Sequence, residues 1–69
     1  MKEDVLEMFR DGMSIREIAD ATRLARGTVG TYIYSSGIQH EPRVQEVQLR
    51  AKIRRLVDQY EERFGPYNS

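Results

Sequence analysis

Cysteine is absent from this chain and histidine occurs once, so two common sources of stability and chemistry are missing. Without cysteine there is neither a disulfide framework nor a thiolate metal site. The single histidine, His40, has no second histidine with which to bind a metal, and its position beside Glu41 does not suggest a catalytic triad. We therefore expect a protein that is not an enzyme and that uses no metal or cofactor.

Long hydrophobic runs are also missing. No apolar stretch approaches the roughly 18 residues of a membrane span, and the first residues do not resemble a signal peptide. We therefore expect a cytoplasmic protein with no membrane partner. At 69 residues the chain forms one small domain at most. Such a domain depends on tight helix packing, on a partner subunit, or on both.

Charge of one sign is not in excess, since 11 basic residues balance 11 acidic ones. This balance argues against nucleic-acid binding, which usually leaves a basic footprint. The basic residues nevertheless concentrate in the middle of the sequence, at Arg16, Arg23 and Arg26 and then at Arg43, Arg50, Lys52, Arg54 and Arg55. A phosphate backbone responds to the local field, because salt screens charges beyond about 8 to 10 Å. DNA binding therefore remains open.

The spacing of apolar residues predicts an all-α fold, in which a three-helix unit is followed by a long C-terminal helix. The predicted helices cover about 2–11, 14–22, 26–35 and 43–64. The first three belong to a unit at 1–38, which a connector at 39–42 joins to the last. Gly65 and Pro66 end the long helix, and we expect a loose tail at 65–69.

The start of the second helix has the clearest local motif. Ser14 and Glu17 have the S-x-x-E spacing of a capping box, in which each side chain accepts a hydrogen bond from the other residue's backbone N–H. Leu24 is expected to pack between the second and third helices. Gly37 suits the end of the third helix, and Ile38 is expected to pack back on the core.

Two rows of apolar residues run along the long C-terminal helix. One row contains Val44, Val47 and Ala51. The other has nearly heptad spacing, and we call it the seam: Leu49, Ile53, Leu56, Tyr60 and Phe64. A helix of roughly twenty residues is about 30 Å long, which exceeds what the three-helix unit can cover. We expect part of the seam to contact a second copy, with a dimer favoured, or another protein.

The basic cluster of this helix has two interpretations. Arg50, Lys52, Arg54 and Arg55 could extend along a DNA backbone. They could equally form the solvated flank of a helix whose seam pairs with another chain, with Glu46 and Arg50 as an i, i+4 ion pair.

Residues 12–33 carry the most specific pattern, which runs glycine, apolar, serine, two variable residues, glutamate, isoleucine, alanine, a turn, and threonine-valine. The matching positions are Gly12, Ser14, Glu17, Ile18, Ala19, Arg26, Thr28, Val29 and Ile33. The pattern resembles the helix-turn-helix of serine-recombinase C-terminal domains, transposase N-terminal domains, phage small terminase subunits and response-regulator output domains. In that motif the second of the two helices enters the DNA major groove.

Three positions depart from the pattern of these families. Thr22 replaces the usual leucine, and Arg23 replaces the usual turn glycine, so Arg23 must adopt a left-handed conformation or change the turn. Ala25 replaces the usual serine cap of the recognition helix, which forfeits roughly 1 kcal/mol. These departures suggest a modest stability.

The resemblance implies a set of DNA contacts. Residues facing base edges would be Arg26, Gly27, Gly30, Thr31 and Tyr34, and those at phosphates would be Ser14, Arg16, Arg23 and Thr28. The glycines of the third helix either weaken it or allow close approach to a groove. The alternative for the polar residues is that Ser14 and Glu17 only cap the helix and that the arginines are solvated surface.

The resulting hypothesis is sequence-specific binding of double-stranded DNA, as a dimer or higher oligomer, in transcription regulation or in phage or mobile-element DNA recognition. Two alternatives remain: a protein–protein interaction module on the same fold, and the DNA-recognition domain of a longer recombinase or terminase.

Overall fold

Four α-helices make up most of the protein, in a computed structural model that describes residues 1–64. They are α1 (Lys2–Arg10), α2 (Ile15–Thr22), α3 (Arg26–Ser36) and α4 (Pro42–Phe64), with a 3₁₀ helix at Ile38–His40. No strand occurs among the described residues, so the predicted all-α class is confirmed. The predicted tail at 65–69 and the side chain of Phe64 lie outside the described part of the structure.

The helix bounds differ from the predicted ones by about a residue. Helix α4 begins at Pro42 rather than Arg43, because the missing N–H of proline costs nothing in the first turn of a helix. The 3₁₀ helix occupies part of the predicted connector, and Ile38 is buried as expected.

The core forms where α1, α2 and α3 pack against one another. Its buried side chains come from all three helices and from the 3₁₀ helix: Val5, Leu6, Ile18, Ala19, Val29, Ile33 and Ile38. Leu24 is half-buried and packs against this cluster, as expected. The small side chain of Ala19 is consistent with close approach of the helices around it. We call α1–α3 with the 3₁₀ helix the body of the protein.

The turn between α2 and α3 is built without glycine. Arg23 adopts the left-handed conformation, with φ of 62° and ψ of 22°. The hydroxyl of Thr22 donates to the carbonyl of Ile18 at 2.7 Å and accepts the N–H of Leu24 at 3.4 Å. Thr22 thus contributes polar contacts to the turn between α2 and α3.

Helix α4 is anchored on the turn between α1 and α2. Gly12 has a φ of 97°, and a Cβ atom there would lie 3.1 Å from Val47 Cγ1 and 3.3 Å from Ala51 Cβ. The side-chain amide of Gln48 donates to the carbonyls of Phe9 at 2.7 Å and Met13 at 2.9 Å. The predicted apolar row of α4 therefore faces the body.

Two glycine-to-alanine variants test this anchoring. Gly12→Ala adds strain at positive φ and crowds Val47 and Ala51, so we expect a loss of about 1–3 kcal/mol in the free energy of unfolding. Gly27→Ala is the matched control, because a Cβ there meets nothing within 4 Å and alanine favours the helix. It should stabilise the protein by about 0.5–1 kcal/mol. Urea unfolding followed by circular dichroism measures both variants. An unchanged free energy of unfolding for Gly12→Ala would contradict the packing described.

Candidate nucleic-acid interface

The outward side of α3 presents a row of exposed residues. Arg26, Gly27, Thr31 and Tyr34 are exposed and Thr28 is half-buried, while Val29 and Ile33 hold the opposite side in the core. Ala25 provides no side-chain cap at the start of the helix, as the sequence indicated. The hydroxyl of Thr31 donates to the carbonyl of Gly27 at 2.9 Å, so its oxygen is left as an acceptor.

Gly30 differs from the expectation for this face. It was expected on the open side of α3, but it is buried, and that expectation was wrong. A Cβ atom at Gly30 would lie 3.5 Å from Cε2 of Tyr34, so the aromatic ring lies against it. A surface approaching α3 at this level meets the ring of Tyr34 rather than the backbone of Gly30.

The turn after α2 and helix α3 carry basic charge only. Between Ala21 and His40 the chain contains no acidic residue, and Arg23 and Arg26 are both exposed. Arg16, in the first turn of α2, is exposed as well. The neutral total charge therefore coexists with a turn and a third helix whose charges are all basic, while α2 carries Arg16 together with Glu17 and Asp20.

The start of α2 is organised by the predicted capping box. The backbone N–H of Ser14 donates to Glu17 Oε1 at 2.9 Å, and the backbone N–H of Glu17 donates to Ser14 Oγ at 3.1 Å. Hydrogen bonding to the Ser14 backbone N–H, and then to the Ser14 side chain, lowers the pKa of the Glu17 carboxyl below its ordinary value of 4.5, and Arg55 contributes in the same direction. Ser14 Oγ thus takes part in the cap as the acceptor of the Glu17 backbone N–H.

Arg55 makes contacts within the chain that neither interpretation of the basic cluster predicts. It donates to the carbonyl of Gly12 at 3.0 Å and to Glu17 Oε1 at 3.3 Å, and its side chain is only 35% exposed. Arg55 therefore does not lie on a purely solvated flank, while a contact between Arg55 and DNA stays a prediction. Its observed contacts lie within the chain, because it projects from the inward row of α4 onto the turn between α1 and α2.

The rest of the basic cluster is exposed. Arg50 pairs with Glu46 at 2.7 Å, which confirms the predicted i, i+4 ion pair. Lys52 and Arg54 are exposed on α4. These three residues remain available for the DNA-backbone or partner contacts that were expected of them.

Gln48 and Arg55 are the residues whose positions sequence reasoning missed. Both are polar, yet they lie on the same side of α4 as Val44 and Ala51, at the helical spacing i, i+4, i+7 and i+11. This spacing could have identified them as inward-facing groups that need buried partners.

The seam residues Leu49, Ile53, Leu56 and Tyr60 are exposed, as is Val57 beside them. No helix within residues 1–64 is long and apolar enough to cross a membrane.

Comparisons with protein-family models, with curated proteins and with solved structures find no match to this chain.

Removing the Arg55 side chain should loosen α4 from the body. Arg55→Ala leaves the Gly12 carbonyl and Glu17 without this donor, and we expect a loss of about 1 kcal/mol in the free energy of unfolding. Arg54→Ala, which removes a neighbouring exposed arginine, is the matched control and should be nearly neutral. Equal midpoints of urea unfolding for the two variants would argue against the contact.

Glu17 should make stability depend on pH. Because its pKa is lowered in the folded chain, its charge stabilises the fold above 4.5, and this contribution is lost as pH falls through the folded value. Glu17→Gln should be less stable than the parent protein at about pH 7 and closer to it at about pH 3. Thermal unfolding at the two pH values measures the difference, with Glu62→Gln, an exposed position on α4, as the control. A stability gap that does not narrow at low pH would contradict the assigned role.

Proposed function

We propose that this protein binds double-stranded DNA with sequence preference, with α2 and α3 acting as a helix-turn-helix. The observation that carries the proposal is the exposed, acid-free face of α3, whose first residue is Arg26 and whose opposite side is held by Val29 and Ile33. A helix presented in this way matches the width of the major groove. The helix that precedes it would cross the backbone.

Each exposed residue of α3 has a chemically suitable role. Arg26 can donate two parallel hydrogen bonds to guanine O6 and N7, and the methyl group of Thr31 can contact a thymine methyl. Tyr34 can pack along the groove wall, and Gly27 allows close approach because nothing lies within 4 Å of a Cβ built there. Phosphate contacts are proposed for Ser14, Arg16, Arg23 and Thr28.

The neutral total charge is compatible with this proposal, because seven of the eleven acidic residues lie on α1, directly after it, or on the last turns of α4. Four of them, Glu3, Asp4, Glu7 and Asp11, belong to α1 and the residue after it, and three more, Asp58, Glu61 and Glu62, lie on the last turns of α4. Within the proposed motif, α2 carries Glu17 and Asp20 beside Arg16, whereas the charges of the turn and α3 are only the basic Arg23 and Arg26. The field that a phosphate experiences is dominated by charges within about 10 Å.

The proposed biological role is transcription regulation, or DNA recognition in a phage or mobile element, by two copies associated through α4. Two α3 helices about 34 Å apart would match one turn of DNA on a palindromic or repeated site. The proposed location is the cytoplasm of a bacterial or phage-infected cell. The same site chemistry would serve the DNA-recognition domain of a longer recombinase or terminase.

A second candidate function is a protein–protein interaction module. The exposed apolar seam favours it, because contiguous apolar surface marks an interaction site. In that case a pull-down would recover one stoichiometric protein partner, and nuclease treatment would not release it.

Arginine variants test the DNA proposal on a site selected from a random duplex library. Arg26→Ala should lose about 1–3 kcal/mol of affinity for that site and relax the preference for one base pair. Arg16→Ala should weaken binding to all duplexes alike and reduce the salt dependence by about one phosphate contact. Fluorescence anisotropy over a range of salt concentrations measures both effects.

Arg10→Ala is the matched control, since Arg10 is exposed at the end of α1, outside the proposed interface. Its affinity should equal that of the parent protein. Selection that enriches no duplex even at low salt would contradict the proposed function.

A further inference from the structure

The described seam lies on the side of α4 that faces away from the body. The inward row, Val44, Gln48, Ala51 and Arg55, contacts the body over the first half of the helix. At about 100° per residue, the seam is centred about 140° around the helix axis from this row. Its large side chains, with Val57 beside them, are between 48% and 59% exposed. The contacts that fix α4 on the body therefore do not cover the seam.

Charge is distributed unevenly along the same helix. Apart from Arg55, which contacts the body, residues 42–54 of α4 carry one acid against four basic residues: Glu46 against Arg43, Arg50, Lys52 and Arg54. The last part is acidic, with one basic residue against three acids: Arg63 against Asp58, Glu61 and Glu62. A partner helix that complements this pattern must be acidic beside the first half and basic beside the last. An identical helix running in the opposite direction has that distribution.

The residues that meet across the helix pair also support the antiparallel direction. With a two-fold axis between Arg54 and Arg55, Ile53 meets Leu56 of the second copy, and Leu49 meets Tyr60 of the second copy. The next layer outward places Glu46 opposite Arg63 of the second copy. Apolar side chains thus meet in the centre, and opposite charges meet at both ends.

A parallel pair does not have these properties. It aligns Glu46 with Glu46 and Arg63 with Arg63, and it places the two basic halves side by side. Like charges in these positions disfavour association, and they do so at each end of the helix.

We propose that the seam is covered by α4 of a second copy running antiparallel, with Leu49 against Tyr60, Ile53 against Leu56, and Glu46 against Arg63. The inference rests on the self-association in the proposed function but not on DNA binding. Because the body contacts the opposite side of α4, each body lies outside the helix pair. The two bodies lie towards opposite ends of the pair and do not compete with the pairing for space.

Disulfide cross-linking tests the direction of the pair, and the absence of cysteine in the natural chain makes the test unambiguous. A disulfide needs Cα atoms within about 7 Å. In the antiparallel pair, residue 49 faces residue 60, whereas the two copies of residue 49 are about 16 Å apart along the axis. The double variant Leu49→Cys, Tyr60→Cys should therefore oxidise to a covalent dimer. Leu49→Cys alone should remain a single chain on a non-reducing gel.

Asp58→Cys is the matched control, because it places a thiol on α4 away from the seam, and it should not cross-link. Circular dichroism confirms that each variant is helical before oxidation. A covalent dimer from Leu49→Cys alone would overturn the proposal in favour of a parallel pair. A parent protein that sediments with the 8.1 kDa mass of one chain at all concentrations would overturn it as well.

Charge reversal tests the outer layer independently. Glu46→Arg alone and Arg63→Glu alone should each weaken association about 2- to 5-fold, and the double variant should restore it. In a parallel pair neither single variant changes the like-charge contact, so unchanged association would overturn the proposed register. Unfolding of dilute samples separates these effects from loss of the Glu46–Arg50 pair within the chain.

DNA binding is measured on the same cross-linked dimer. A dimer that forms as expected and binds no selected duplex would remove the proposed DNA function and leave the pairing intact. A protein that binds the selected duplex as a single chain would remove the proposed pairing and leave the proposed DNA function intact.

Discussion

The close approach of α4 to the turn at Gly12 is the constraint on which the rest of the structure depends. A residue with a side chain at this position would meet Val47 and Ala51, and its φ of 97° suits glycine. Because Gly12 has no Cβ, Gln48 can reach the carbonyls on either side of the turn, and Arg55 can reach the carbonyl of Gly12 itself. The turn's backbone acceptors are therefore satisfied by a helix more than thirty residues further along the chain.

The same constraint extends to the candidate interface through the start of α2. Glu17 accepts hydrogen bonds from Ser14 within the cap and from Arg55 across the chain. The capping box thus joins α4 to the first turn of α2, where Arg16 is exposed. Helix α3 packs on α2 and α1 through Val29 and Ile33, so its outward face is oriented by the same set of contacts. A small domain without disulfides obtains a defined surface in this way.

Features determined by neighbours in sequence could be predicted, and features determined by distant contacts could not. The capping box of Ser14 and Glu17 is a local motif, and the left-handed conformation of Arg23 follows from its place in the turn. The expectation of an open position for Gly30 was wrong because its burial depends on the position of the Tyr34 ring. Sequence spacing alone does not determine where that ring lies. Arg55 was assigned to the surface because a run of basic residues is usually solvated. Its partner, the Gly12 carbonyl, is 43 positions away.

Helix α4 forms the proposed pair and is also packed on the body that carries the proposed DNA contacts. A helix that carried only the seam would join the body through the short segment before Pro42, and the angle between the two could vary. Here the first half of the helix is held by Val44, Gln48 and Arg55, so the angle is set by packing and hydrogen bonds. The distance between two α3 helices in a pair is then a property of the fold rather than of a flexible connection. Such a pair would favour DNA sites of one spacing, because contacts to the second half-site would require no further ordering of the protein.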